Sequence, residues 1–81
     1  QTYKFSSFFK NPAGRSAGQL IEASGLKGLR LGDAEVSEKH ANFFVNRGNA
    51  TADDMMELMR TVQKTVKQDS GIALEPEVHF L

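Results

Sequence analysis

Two apolar periods organise this chain. Met55, Leu58, Met59, Val62 and Val66 recur at the three- and four-residue steps of a helix, with Glu57, Arg60, Gln63, Lys64 and Lys67 on the other side. The stripe predicts a helix over 52–69, entered through a Thr51 cap with Asp53 and Asp54 in its first turn and ended at Gly71. Near the start the period is two. Tyr3, Phe5, Ser7 and Phe9 alternate with Lys4, Ser6, Phe8 and Lys10, which predicts a strand over 3–10 stopped by Pro12. Ser16 with Gln19 three residues on has the spacing of a capping box, so a short helix carrying Leu20, Ile21 and Ala23 should start there. Gly25 should end it, with Leu26 folding back. A second strand is predicted over 29–36, with a bulge at Gly32 and Asp33. Phe43, Phe44 and Val45 form a third, followed by the N-R-G-N turn at 46–49. A last strand over 72–81 is bent at Pro76.

The predicted order is therefore β-α-β-β-α-β in one small domain spanning 1–81. The fold class is α+β, a mainly antiparallel sheet with both helices on one face. Phe5, Phe9, Leu20, Phe43, Val45, Met55, Met59, Val62 and Val78 should share its core. The third strand separates the S-E-K-H loop from the N-R-G-N turn, and one of those ends should be the working end.

Composition narrows the function classes. Net charge is zero over 81 residues, so there is no electrostatic case for a nucleic-acid or membrane partner. An aromatic RNA-binding strand is a formal reading of HANFFVNRG, but the basic-Gly-aromatic lead of that motif is missing. The absence of cysteine excludes a thiolate metal site and a disulfide framework, and suits a reducing cytoplasm. No apolar run approaches membrane-spanning length, and no signal-peptide pattern opens the chain.

Candidate chemistry is sparse. His40 and His79 are the only imidazoles and lack paired spacing, so no metal site is expected and each reads as a surface or hydrogen-bonded histidine. Glu75 and Glu77 flank Pro76 and face opposite sides of a regular strand. Ser6 and Ser7 put hydroxyls in an otherwise apolar strand, which edge-strand alternation explains equally well. Lys10 and Asn11 stand at that strand's end, where polar groups meet ligands. No Gly-rich phosphate loop has the required spacing.

Five ordered blocks carry a resemblance: SSFFKNP (6–12), SAGQLIEASGLKG (16–28), VSEKHANFFVN (36–46), ATADD (50–54) and LEPEV (74–78). Together, over residues 6–81, they resemble the C-terminal domain of the UDP-N-acetylenolpyruvoylglucosamine reductase family, flavoenzymes of bacterial peptidoglycan synthesis. The resemblance implies an oxidoreductase in which NADPH reduces bound FAD. Hydride then passes to UDP-N-acetylglucosamine enolpyruvate, giving UDP-N-acetylmuramate in the bacterial cytoplasm. It implies that Ser7 protonates the resulting enol or carbanion and that Glu77, not Glu75, assists. It also implies that Asn11, with Lys10 beside it, contacts the nucleotide-sugar, and that His40 stands where relatives carry a substrate-contacting Gln or similar polar group. The family's usual glycine before the serine is Ser6 here. The FAD-binding domains and a catalytic arginine are expected upstream, outside this chain, so the isolated chain should bind no FAD and be inactive. The alternative is a nucleotide-sugar-binding or structural domain without chemistry.

Overall fold

The computed structural model describes Tyr3, Lys4 and residues 9–77. Its elements are β1 (Tyr3–Lys4), α1 (Ala17–Ala23), β2 (Arg30–Leu31), β3 (Ala34–Val36), β4 (Phe44–Asn46) and α2 (Ala52–Ser70). The strands form one antiparallel sheet in the order β1-β4-β3-β2. Residues of both helices join Ala34, Val36 and Phe44 in a single core, so the α+β class with both helices on one sheet face holds.

The helices form for the reasons their sequences suggest. Thr51 Oγ1 accepts the Asp54 N–H at 3.1 Å and the Asp54 carboxylate accepts the Thr51 N–H at 3.1 Å, a complete capping box. Gly71 ends α2 in the left-handed region at φ 77°, where a side chain is disfavoured. The whole predicted stripe of α2 is buried. In α1, Ser16 Oγ accepts the Gln19 N–H at 3.3 Å, and Leu26 N–H returns to Ile21 O at 3.3 Å beyond Gly25. Ala17, Leu20 and Ile21 are its buried residues, whereas Ala23 is exposed.

Two strand readings need correction. The stretch 29–36 is not one bulged strand but a hairpin, with Arg30 opposite Glu35 and Leu31 opposite Ala34. Gly32 takes φ 59° and Asp33 no positive φ, the requirement of a two-residue loop with glycine first. The third strand is out of phase by one residue. Phe44, not Phe43, enters the core, because it pairs with Val36 on the face that α2 covers. A one-residue shift exchanges the two faces of a strand. Val45 is buried but stands outside the main cluster, opposite Glu35 on the other face.

The remaining core expectations, Phe9, Leu20, Met55, Met59 and Val62, are buried in that cluster. Phe5 and Val78 lie outside the described residues. Of the expected last strand, residues 72–77 carry no ladder beyond a single antiparallel bridge between Pro76 and Phe9. No helix is long and apolar enough to cross a membrane among the described residues.

Candidate functional site

Residues 9–11 are held one by one, each by a different part of the chain. Phe9 buries its ring edge-on to Phe44, with centroids 6.0 Å apart. Its N–H donates to Asn42 Oδ1 at 3.1 Å and its carbonyl accepts from Asn42 Nδ2 at 2.9 Å. Lys10 N–H donates to Glu75 O at 2.9 Å, beside the Phe9–Pro76 bridge. Asn11 Oδ1 accepts the Ala17 N–H at 3.0 Å and so caps the start of α1. The Asn11 side-chain NH2 keeps two donors without a partner among the described residues.

Two shallow grooves meet at Asn11. One, of about 290 Å³, runs between α1 and the 37–43 loop and is lined by Asn11, Ser16, Gln19, Lys27, Lys39 and His40 among others. The second, of about 180 Å³, is lined by Lys10, Asn11, Pro12, Ala73 and Glu75. The loop that carries His40 is closed on itself. Ser37 Oγ accepts the N–H groups of Lys39 and His40, Phe43 N–H returns to His40 O, and Ser37 N–H reaches Phe43 O. The exposed His40 ring lies 5.3 Å from the ring of Phe43. These contacts leave Phe43 half-buried, outside the main core.

The structure thus gathers Lys10, Asn11 and His40 at the S-E-K-H end of β4 rather than at the N-R-G-N end. The opposite end is occupied by structural bonding. Asp33 accepts the Asn49 N–H and Arg30, while Asn46 Oδ1 accepts the N–H groups of Gly48 and Ala50. Glu77 is exposed, one residue past the bridge. Ser6, Ser7 and His79 lie outside the described residues. No cluster of metal-ligating side chains forms among the described residues.

Two groups escaped the sequence reading. Asn42 bonds across 33 positions, beyond any local spacing rule, and its only signal is an amide in a turn just before a strand. Glu35 is 4% exposed on the sheet face away from the helices and pairs with Arg47 Nε at 2.5 Å. That hydrogen bond, with the charge of Glu35 and a smaller contribution from Glu38, raises the Arg47 guanidinium above its ordinary value. Period-two alternation around Ala34 and Val36 marks Glu35 as facing away from the core, but not as buried.

Comparison with known proteins agrees with this fold. The family model for the C-terminal domain of UDP-N-acetylenolpyruvoylglucosamine reductase matches residues 1–81. The chain is 52% identical over 84 aligned positions to the UDP-N-acetylenolpyruvoylglucosamine reductase of Chlamydia muridarum, covering 100% of this chain and 28% of the relative. It is 62% identical over 72 positions to that of Desulfosudis oleivorans, covering 88% of this chain and 23% of the relative. The crystal structure of the UDP-N-acetylenolpyruvylglucosamine reductase of Thermus caldophilus superposes with a TM-score of 0.80 at 49% identity, over 93% of this chain and 26% of that one. The chain therefore spans about a quarter of the length of the relatives it matches. It belongs to the UDP-N-acetylenolpyruvoylglucosamine reductase family, as its C-terminal domain.

Proposed function

We propose that this chain is the substrate-binding and proton-donating domain of an FAD- and NADPH-dependent reductase of UDP-N-acetylglucosamine enolpyruvate, acting in bacterial peptidoglycan synthesis in the cytoplasm. One observation carries the reading: the Phe9–Pro76 bridge, with Lys10 N–H on Glu75 O, ties the K-N-P segment to the E-P-E segment. Ser7 stands two residues before that bridge and Glu77 one after it. The bridge thereby joins the two sequence segments to which these candidate groups belong.

In this reading the free NH2 of Asn11 and the Lys10 ammonium bind the polar nucleotide-sugar, with the larger groove, between α1 and the 37–43 loop, extending the surface toward His40. The Ser7 hydroxyl donates its proton to the carbon left electron-rich after hydride addition. Glu77 orients that hydroxyl and helps replace its proton. Bound FAD, once reduced by NADPH, would supply the hydride. The described residues do not fit its pyrophosphate: the Ala17 and Gln19 amides are taken by Asn11 and Ser16, and α2 opens on Asp53 and Asp54, which repel phosphate. We place the flavin, the NADPH site and the catalytic arginine in parts of the enzyme outside this chain.

The test is Ser7→Ala in the full-length enzyme that carries this domain. Flavin reduction by NADPH should stay near normal while reoxidation by the enolpyruvyl substrate falls by roughly 10² to 10⁴, the worth of a positioned general acid. Ser7→Cys keeps a donor and should lose less. Reoxidation of Ser7→Ala at the wild-type rate would leave a nucleotide-sugar-binding domain without chemistry as the better account.

A further inference from the structure

We infer that Asn42 is a positioning residue of the groove between α1 and the 37–43 loop. By bonding the Phe9 backbone it ties the two walls together and sets the spacing of Asn11 on one wall from His40 on the other. The inference rests on the proposed role of Asn11 and His40 in binding the nucleotide-sugar. Each wall is closed on itself. On one side Asn11 Oδ1 accepts the Ala17 N–H at 3.0 Å, which makes one body of the K-N-P segment and the start of α1. On the other, Ser37 Oγ and the backbone bonds among Ser37, His40 and Phe43 close the loop. The groove of about 290 Å³ lies between these two bodies. Among the described residues, two hydrogen bonds cross from the loop to residues 9–19, and Asn42 makes both.

A side-chain amide offers the same donor and acceptor as a peptide group. Asn42 applies both to one residue, accepting the Phe9 N–H at 3.1 Å and donating to the Phe9 carbonyl at 2.9 Å. This is the pairing an adjacent strand would give. The loop backbone cannot give it, because Phe43 N–H and the carbonyls of His40 and Phe43 are spent closing the loop itself. Asn42 is half-buried and set against α1, where a Cβ built on Gly18 would meet Asn42 Cβ at 3.7 Å. The amide is therefore backed by a helix rather than free to swing. Its neighbour Ala41 and its partner Phe9 are both buried in the core, and neither burial needs the amide. Losing the amide thus loosens the junction while the apolar contacts stay. Asn11 lies two peptide units from Phe9, so their Cα atoms are at most about 7 Å apart. A hold on Phe9 is therefore close to a hold on Asn11. A ligand gripped by both walls binds more tightly when their spacing is fixed beforehand, because less has to be ordered on binding.

The experiment uses the full-length reductase with Asn42→Ala, Asn11→Asp, the double variant and Asn42→Asp. The aspartate keeps size and the acceptor for Phe9 N–H but sets a carboxylate against the Phe9 carbonyl, and it serves if alanine impairs folding. Titration calorimetry of the oxidised enzyme with UDP-N-acetylglucosamine enolpyruvate gives Kd without turnover, and steady-state rates give KM and kcat. Amide hydrogen exchange without ligand reads the clamp itself. In Asn42→Ala we expect faster exchange at Phe9, with Lys10 and Ala17 unchanged because Glu75 and Asn11 still hold them. Kd and KM should rise about three- to tenfold in both Asn42 variants, the worth of one hydrogen bond no longer reached, with kcat within about twofold. In the Asn11→Asp background, Asn42→Ala should add little, since a ligand gripped by one wall does not feel the spacing. Wild-type Kd in both Asn42 variants, with Asn11→Asp weakened, overturns the inference and leaves the nucleotide-sugar reading of Asn11 standing. A fall in kcat at unchanged Kd, or full additivity with Asn11→Asp, overturns it as well, because Asn42 then acts by another route. Wild-type Kd in Asn11→Asp instead overturns the nucleotide-sugar reading of Asn11, and this inference with it.

Discussion

Replacing Gly32 by alanine tests how the β2–β3 hairpin is locked to the start of α2. Gly32 has φ 59°, and a Cβ there would meet the Asp54 carboxylate oxygen Oδ2 at 3.2 Å. That oxygen accepts the Thr51 N–H at 3.1 Å as one half of the capping box. Two penalties follow. Forcing a non-glycine residue into the left-handed region costs about 1–2 kcal/mol. Displacing the carboxylate weakens one exposed cap hydrogen bond, worth about 1 kcal/mol. Gly14 isolates the first penalty, because its φ is 75° and a Cβ there meets nothing within 4 Å. Gly32→Ala should therefore destabilise by about 1 kcal/mol more than Gly14→Ala, a further loss of about 4–8 °C in Tm for a domain of this size. Thermal melts of the chain followed by circular dichroism measure both. The control is Asp54→Ala, in which the obstructing oxygen is gone and the two glycine substitutions should differ by less than about 0.5 kcal/mol. Equal losses for Gly14→Ala and Gly32→Ala in the wild-type background would refute the reasoning, showing that the carboxylate yields without loss of the cap.

Asn11→Asp keeps the Oδ1 acceptor for Ala17 N–H but removes both free donors. In the full-length enzyme it should raise KM for the UDP-sugar while Tm stays within about 2 °C, whereas Asn11→Ala should lower Tm as well, by the roughly 1 kcal/mol of a lost helix cap. Arg47→Ala strips the guanidinium from the buried Glu35 carboxylate and should lower Tm. Because partnering raises the Arg47 value, its contribution is fully present below the unfolded value and lost only as pH rises through the still higher folded one. Both lie far above neutrality, so the Tm difference from wild type should be flat between about pH 6 and about pH 9. A difference that shrinks steadily across that window would mean a different group controls the pair.

How much of this was readable from sequence depends on the range of each interaction. The α2 stripe, the Thr51 and Ser16 caps and the Gly25 and Gly71 stops depend on residues within four positions, and each is found as its spacing predicts. The hairpin at Gly32 and Asp33 is also local; reading it as a bulge undervalued glycine as the first residue of a two-residue loop. The phase of β4 was not local. Three apolar residues in a row, Phe43, Phe44 and Val45, fit either face, and the pairing of Phe44 with Val36 decides between them. The gathering of Lys10, Asn11 and His40 rested on family resemblance, since nothing in their spacing brings positions 10 and 40 together. Asn42 was unreadable for the same reason. Its two bonds to Phe9 are made through space, and an asparagine before a strand has the same local sequence whether or not it makes them.

The bridge between Phe9 and Pro76 has a kinetic consequence. It joins stretches separated by both helices and most of the sheet, so forming it closes a loop of nearly the whole domain, and closure entropy grows with loop length. The α2 stripe and the β2–β3–β4 meander need no such closure and can assemble first. Where Phe9 meets Asn42 and Pro76, the contacts are few and partly open to water, the condition for opening without global unfolding. The lifetime of this junction is then set by local opening, which a ligand bridging the two segments would slow before it changed the melting of the helices at all.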